Sequence, residues 1–174
     1  MGWSEIYLAT LELARKIDPK KYDLIVAILR GGACTASILS DLIGLDVSTI
    51  RVKSYRGTQR SGEPKVFRDS LGVVTGMNVL VVDDVCDTGE SLRVVTEYLK
   101  LRGANTIDTF VLVKKSTCNF DVTYWYREIN EWILFPWEVM EVMKQEGESV
   151  KVYLERLLGE EVARALLGEG QNSG

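Results

Sequence analysis

The chain has 174 residues, enough for one domain with a true core, and its 46% apolar and 26% charged content is that of a globular protein, not a disordered one. A net charge of −4 with no long basic stretch argues against a nucleic-acid partner, and a longest apolar run of only Leu24–Leu29 argues against a membrane span. A small phosphorylated substrate held by local groups is the better expectation.

In chain order, Ser4–Ile17 carries Ile6, Leu8, Leu11, Leu13 and Ala14 at mostly helical spacing, with Pro19 marking its end. Leu24–Leu29 is short and continuously apolar, as expected of a strand buried on both faces. Arg30-Gly31-Gly32 interrupts it, and Ala33–Leu42 then reads as a helix. Val47–Lys53 and Val79–Val82 are further strands. After Gly89, the residues Leu92, Val95 and Leu99 recur at helical spacing up to a C′ glycine, Gly103. Thr106–Val113 and Val122–Tyr126 complete a strand, helix, strand alternation, which implies an α/β fold with a parallel central sheet flanked by helices. No repeat or linker divides the chain, so 1–174 reads as one domain. Ligands of such sheets sit at the carboxyl ends of the strands, here Arg30–Gly32, Asp83–Ser91 and Lys114–Lys115.

Histidine is absent, which excludes a Ser-His-Asp triad, a Cys-His pair and any His-ligated metal. Cys34, Cys86 and Cys118 are too few and too scattered for a disulfide framework or a zinc site, and their odd number fits a reducing cytoplasm. No basic segment followed by an apolar one opens the chain as an export signal would, so a cytoplasmic location is expected.

Val79–Leu92 is the most informative stretch. Four apolar residues deliver Asp83 and Asp84 to a strand end, and a loop with Asp87, Thr88 and Gly89 opens a helix at Glu90 and Ser91. Backbone N–H groups at such a helix start, aided by the Thr88 and Ser91 hydroxyls, can cradle a phosphate. Carboxylates would repel that phosphate unless they bind vicinal ribose hydroxyls or a neutralising Mg²⁺. A strand ending in solvated acids is the plainer explanation, but the whole string Asp-Asp-x-x-Asp-Thr-Gly-x-Ser is far more specific than an acidic pair. Cys86 inside it lies among carboxylates with no histidine to activate it, so it reads as a small apolar residue, not a nucleophile.

The string resembles the phosphoribosyl-pyrophosphate (PRPP) motif of the type I phosphoribosyltransferases. Arg30-Gly31-Gly32 resembles that family's pyrophosphate loop, and Lys53-Ser54-Tyr55 the start of its mobile catalytic loop. Trp132-Ile133-Leu134-Phe135-Pro136-Trp137-Glu138 is similar to the base-binding segment of the 6-oxopurine branch, especially the xanthine-guanine enzymes. The resemblance covers about residues 24–140, in order, with 141–174 as appended C-terminal helices and the terminal segments forming a small hood over the family's fold.

The resemblance implies that Asp83 and Asp84 hold the ribose hydroxyls directly or through Mg²⁺. Asp87 would sit beside N7 of the base as proton acceptor or hydrogen-bond partner. Thr88, Gly89, Glu90 and Ser91 would wrap the 5′-phosphate, Arg30, Gly31 and Gly32 would meet the pyrophosphate, and a cis peptide is implied at Leu29–Arg30. Lys53, Ser54 and Tyr55 would also bind PRPP. Trp132 would stack on the purine, Ile133 would contact it through its backbone, Lys114 or Lys115 would reach its O6, and Glu138 would reach a second Mg²⁺. Trp132, Phe135 and Trp137 could each be simple core aromatics, and of the three only Trp132 is taken as a base platform. Arg56–Lys65 is polar and reads either as a solvated hairpin tip or as a lid that shields a carbocation-like centre from water. Val150, Tyr153, Leu154 and Leu157 recur at i, i+3, i+4, i+7, which calls for packing on the chain's own domain or a dimer contact.

The expected enzyme is therefore a purine-salvage glycosyltransferase. It joins PRPP to guanine, hypoxanthine or xanthine and releases pyrophosphate and a nucleoside monophosphate, as a homodimer or higher homo-oligomer. The rivals are a phosphoribosyltransferase for adenine, orotate or uracil, and a non-catalytic regulator that senses nucleotides through the same fold. A regulator would usually carry an added nucleic-acid-binding domain or basic surface, and this sequence has neither.

Overall fold

The structure, a computed structural model, describes residues 1–54, 64–146 and 151–167. The chain forms two compact units, one of Met1–Leu8 with Glu131–Gly174 and one of Ala9–Asn130.

The larger unit is built on a six-stranded sheet of order β3-β2-β1-β4-β5-β6. Its strands are β1 (Leu24–Leu29), β2 (Val47–Ser54), β3 (Pro64–Asp69), β4 (Asn78–Cys86), β5 (Thr106–Lys114) and β6 (Tyr124–Glu128). All neighbours run parallel except β3, which pairs antiparallel with β2 at the sheet edge. The expected sheet is thus mostly parallel. The edge strand was not anticipated, because its burial pattern is mixed and it opens with a proline; an edge strand's first residue is where the missing N–H costs nothing. Pro64 and Lys65, expected in the polar loop, therefore belong to β3.

Helix α2 (Gly32–Ile43) follows β1 and helix α3 (Glu90–Leu101) follows β4. Leu92, Val95 and Leu99 of α3 pack on Val26, Ile28, Val79, Val81 and Val111, one face of the sheet. Alternation turns Leu80 and Val82 to the other face, where α2 lies against β1 and β4. Both faces of β4 are thereby covered, so Val79–Val82 are all fully buried, each contributing roughly 1.5–3 kcal/mol. Helix α3 ends in a Schellman motif. Gly103 lies at φ 83°, its N–H bonds Lys100 O, and the Ala104 N–H bonds Leu99 O.

Three features of these elements go beyond the sequence reading. In helix α1 (Trp3–Ala14) Ile6, Ala9, Thr10, Leu13 and Ala14 form the buried stripe, while Leu8 is 56% exposed. Strand β4 continues past Val82 through Asp83 and Asp84 to Cys86. No helix joins β5 to β6: residues 115–123 cross as a loop, and Val122, buried but not in a strand, precedes β6.

In the smaller unit, Leu134, Val139, Val142, Leu154 and Ala163 form a separate core from the segment after Glu131 and helices α4 (Val139–Glu146), α5 (Lys151–Leu158) and α6 (Glu160–Leu167). Leu154 is fully buried there and Leu157 packs against it, so these two tail residues serve their own unit. Val150 lies outside the described residues.

Candidate functional site

Five parallel strands of the larger unit end on one side, and the loops after β1, β4 and β5 meet there. Asp83 and Asp84 are 8% and 5% exposed, since both sit within β4 and not beyond it. Asp83 Oδ1 accepts the Asp84 N–H at 3.0 Å, and Asp84 Oδ1 accepts the Val85 N–H at 2.8 Å. These local bonds hold both side chains in fixed rotamers. Residues Asp83–Leu92 line a pocket of about 260 Å³.

The loop after β1 closes over this point. The Leu29–Arg30 peptide is cis, as the resemblance implies. A β-carbon on Gly31 would overlap the Asp84 carboxylate, and one on Gly32 would overlap the Val82 carbonyl oxygen. Both glycines are therefore required for close approach, and the loop's backbone lies directly against the buried acid. Next in α2, Cys34 is partly buried; burial pushes its thiol up and the nearby Asp84 charge adds to this, so it is no thiolate.

The loop after β4 turns at Gly89, whose φ of 88° is left-handed, and Glu90 opens α3. A β-carbon at Gly89 would also come within 2.6 Å of Phe120 Cβ. Thr88 Oγ1 accepts the Glu90 N–H at 3.4 Å. The result is a helix start whose first residues, with Thr88, Gly89 and Ser91, line the pocket, an arrangement able to bind a phosphate.

Residues 115–120 form a strap across this loop that the sequence did not reveal. The Lys115 N–H bonds Cys86 O at 2.9 Å and the Asn119 N–H bonds Thr88 O at 3.1 Å. The Thr117 hydroxyl lies 2.9 Å from the Asp87 carbonyl oxygen and 3.1 Å from its Oδ1. Arg93 Nη2 donates to Asn119 O at 2.7 Å. Cys86 and Cys118 are disulfide-bonded, with Cα atoms 5.6 Å apart. This corrects the reading of the cysteines as unpaired and takes away its support for a reducing compartment. Their separation of 32 residues gives no hint of the bond; the strap alone brings them into bridging range. Cys86 is nevertheless packed as a small apolar group, 2% exposed in the α3-side core.

The two candidate lysines diverge. Lys115 Nζ lies 3.7 Å from Asp87 Oδ1, whereas Lys114 Nζ lies 5.0 Å from the centre of the Trp125 ring. Lys53 and Ser54 end β2, on the same side of the sheet as Arg30; Lys53 Nζ rests 4.0 Å over the Phe67 ring. Tyr55 and the expected lid from Arg56 to Glu63 lie outside the described residues.

Trp132, Ile133 and Glu138 belong to the smaller unit. Trp132 is 59% exposed, while Phe135 is buried and stacked on Trp137 at 5.0 Å. Glu138 Oε2 accepts the Phe135 N–H at 3.4 Å, closing the turn between them.

Residues 3–142 match the family model for the phosphoribosyl transferase domain. A xanthine-guanine phosphoribosyltransferase of Idiomarina loihiensis is 32% identical over 80% of this chain and 86% of its own. Among solved structures, a purine phosphoribosyltransferase from Pyrococcus horikoshii superposes with a TM-score of 0.71 at 34% identity, over 79% of this chain and 91% of that one. The xanthine-guanine-hypoxanthine phosphoribosyltransferase of Helicobacter pylori has the same fold, with a TM-score of 0.71 at 24% identity over 83% and 97% of the two chains. With the acidic strand end, the helix-start cradle and the glycine loop all in one larger unit, the chain belongs to the phosphoribosyltransferase family.

Proposed function

We propose that this enzyme transfers the 5-phosphoribosyl group of PRPP to a 6-oxopurine, releasing pyrophosphate and a purine nucleoside monophosphate, in purine salvage. The observation that carries this is the buried Asp83–Asp84 pair, capped by Gly31 on one side and continued by the Thr88–Ser91 cradle on the other. Sugar diol and 5′-phosphate would each meet a complementary group in the Asp83–Leu92 pocket, and the pyrophosphate would meet the Arg30–Gly32 loop that lies against Asp84. The relatives' names support a purine as acceptor.

Asp83 and Asp84 suit Mg²⁺ as well as the ribose diol. They are hard oxygen donors, and Mg²⁺ takes one or two carboxylates and completes its shell with water and substrate oxygens. Bound beside Asp84, the ion would neutralise the departing pyrophosphate. Glu138 is the candidate for a second ion through the family resemblance.

The backbone at Arg30, Gly31 and Gly32 receives the pyrophosphate, and the N–H groups from Thr88 to Ser91 hold the 5′-phosphate against the start of α3. Lys53, Ser54 and Tyr55 lead into the loop that would exclude water as positive charge develops at C1. Asp87 accepts the N7–H of the base, raising electron density at the attacking N9. Lys115 donates to O6; its ammonium is a pure donor and already lies at Asp87. The roles of Asp87 and Lys115 rest on the resemblance together with the distance between them. For Trp132, as ring platform, and Ile133, as backbone contact to the base, the resemblance alone is the support.

The substrates are soluble charged metabolites, and no helix among the described residues is long and apolar enough to cross a membrane. A cytoplasmic location and a homo-oligomeric state are proposed on the family resemblance. Incubation with PRPP, Mg²⁺ and each base in turn, with pyrophosphate release as readout, is the test. Release with guanine, hypoxanthine or xanthine is expected; none with any base would favour a nucleotide-sensing regulator.

A further inference from the structure

We propose that Thr117 is a positioning residue for Asp87, setting the direction of the carboxylate that meets the base. The inference rests on the assignment of Asp87 given above and adds a residue outside the PRPP motif.

Asp87 is mostly solvent-exposed, its side chain 62% accessible, so packing does not fix its rotamer. Among the described residues, the groups that reach its carboxylate are the Thr117 hydroxyl at 3.1 Å and the Lys115 ammonium at 3.7 Å, and both approach Oδ1. Neither group engages Oδ2, which leaves that oxygen as the acceptor for a ligand N–H. Thr117 also lies 2.9 Å from the carbonyl oxygen of the same residue. One hydroxyl hydrogen shared between these two acceptors ties the side chain of Asp87 to its own backbone and restricts χ1. Lys115 cannot do this alone, because in the proposed reaction its ammonium moves to O6.

The hydroxyl is not needed to hold the strap. The N–H groups of Lys115 and Asn119 grip Cys86 O and Thr88 O on either side of it, and the Cys86–Cys118 bond adds a covalent anchor. Removing the hydroxyl should leave the loop in place and free only the Asp87 side chain.

The variants are Thr117→Val, which keeps the branched shape, and Thr117→Ser, which keeps the donor. For Thr117→Val we expect kcat/KM for the base to fall about three- to tenfold, less than a fully buried charged hydrogen bond would give. KM for PRPP and the melting temperature should stay unchanged, and Thr117→Ser should restore the rate. Because Thr117 acts through Asp87, adding Thr117→Val to Asp87→Asn should cause no further loss. An impaired Asp87→Asn beside an unimpaired Thr117→Val would overturn this inference alone. So would additive losses in the double variant, or an equal rise in KM for PRPP. A silent Asp87→Asn would remove the assignment of Asp87 and this inference with it.

Discussion

Gly31 and Asp84 are packed so closely that no side chain fits between them: a β-carbon on Gly31 would overlap the Asp84 carboxylate. The backbone of Gly31 is right-handed helical, at φ −55° and ψ −49°, so glycine is there for space and not for conformation. The obstructing atoms are the movable end of a side chain. Gly31→Ala should therefore displace Asp84 while the fold survives, and PRPP affinity should drop roughly ten- to hundredfold in titration calorimetry. Gly32 instead faces the Val82 carbonyl, part of the central strand. Gly32→Ala should lower stability itself, by about 1–3 kcal/mol in urea unfolding. Equal behaviour of the two variants would contradict the geometry.

Base choice provides the second prediction. A lysine facing O6 satisfies a carbonyl, but it loses its partner opposite the amino group of adenine. Sites of this kind reject the wrong group by several kcal/mol, more than ring stacking at about 1–3 kcal/mol restores. Turnover of 6-oxopurines with little use of adenine is expected. Lys115→Ala should erode that preference, and Lys114→Ala, whose ammonium lies over Trp125, should not. Steady-state kinetics with guanine and adenine would show the opposite pattern if Lys114 were the reader.

The disulfide leads to a third. Closing a loop over a separation of 32 residues should stabilise the native state by about 4 kcal/mol through the unfolded chain's lost entropy. For a chain of this size that is roughly 8–16 °C in melting temperature. Cys118→Ser, or the wild type under a dithiol reductant, should show this loss in calorimetry. Thiol titration of the unfolded, unreduced protein should find Cys34 alone reactive. Three reactive thiols would mean that the bond does not form in the purified protein.

A fourth concerns acid. Tyr22 donates to Asp108 at 2.5 Å and Lys21 donates to the same oxygen at 2.6 Å, joining the residues before β1 to β5. Burial by itself would raise the Asp108 carboxyl, but the donors Lys21, Tyr22 and Thr123 outweigh it and hold the group below its ordinary value. A pKa lowered by folding stabilises the protein above the unfolded value of about 4, and that contribution is lost as pH falls through the folded value. Urea midpoints should thus decline below about pH 4, and Asp108→Asn should be weaker at neutral pH and show a shallower decline. An unchanged acid limb in the variant would exclude Asp108 from the linkage. Tyr22, pushed far upward by burial and then by its bond to Asp108, stays neutral throughout this range.

Local pattern made much of this protein legible in its sequence. The apolar runs of β1 and β4, the periodic α3 and the glycines at 31, 32, 89 and 103 each act over a few residues, so their strands, helix and turns could be read directly. The order Asp-Asp-x-x-Asp-Thr-Gly identified the pocket for the same reason. What only the tertiary structure decided involves residues far apart in the chain. Asp83 and Asp84 remain inside β4 because β5 extends beside them, pairing Asp83 with Val111 and Val85 with Val113. The mixed pattern of β3 becomes a strand only through its antiparallel partner β2. Lys114 and Lys115 are adjacent in sequence, yet the end of β5 sends one ammonium to Trp125 and the other to Asp87. Thr117 and Cys118 carry no motif of their own. They acquire partners because a helix-free crossing from β5 to β6 lies over the loop after β4, and the free energy that places it there is spread over backbone bonds and contacts between distant segments.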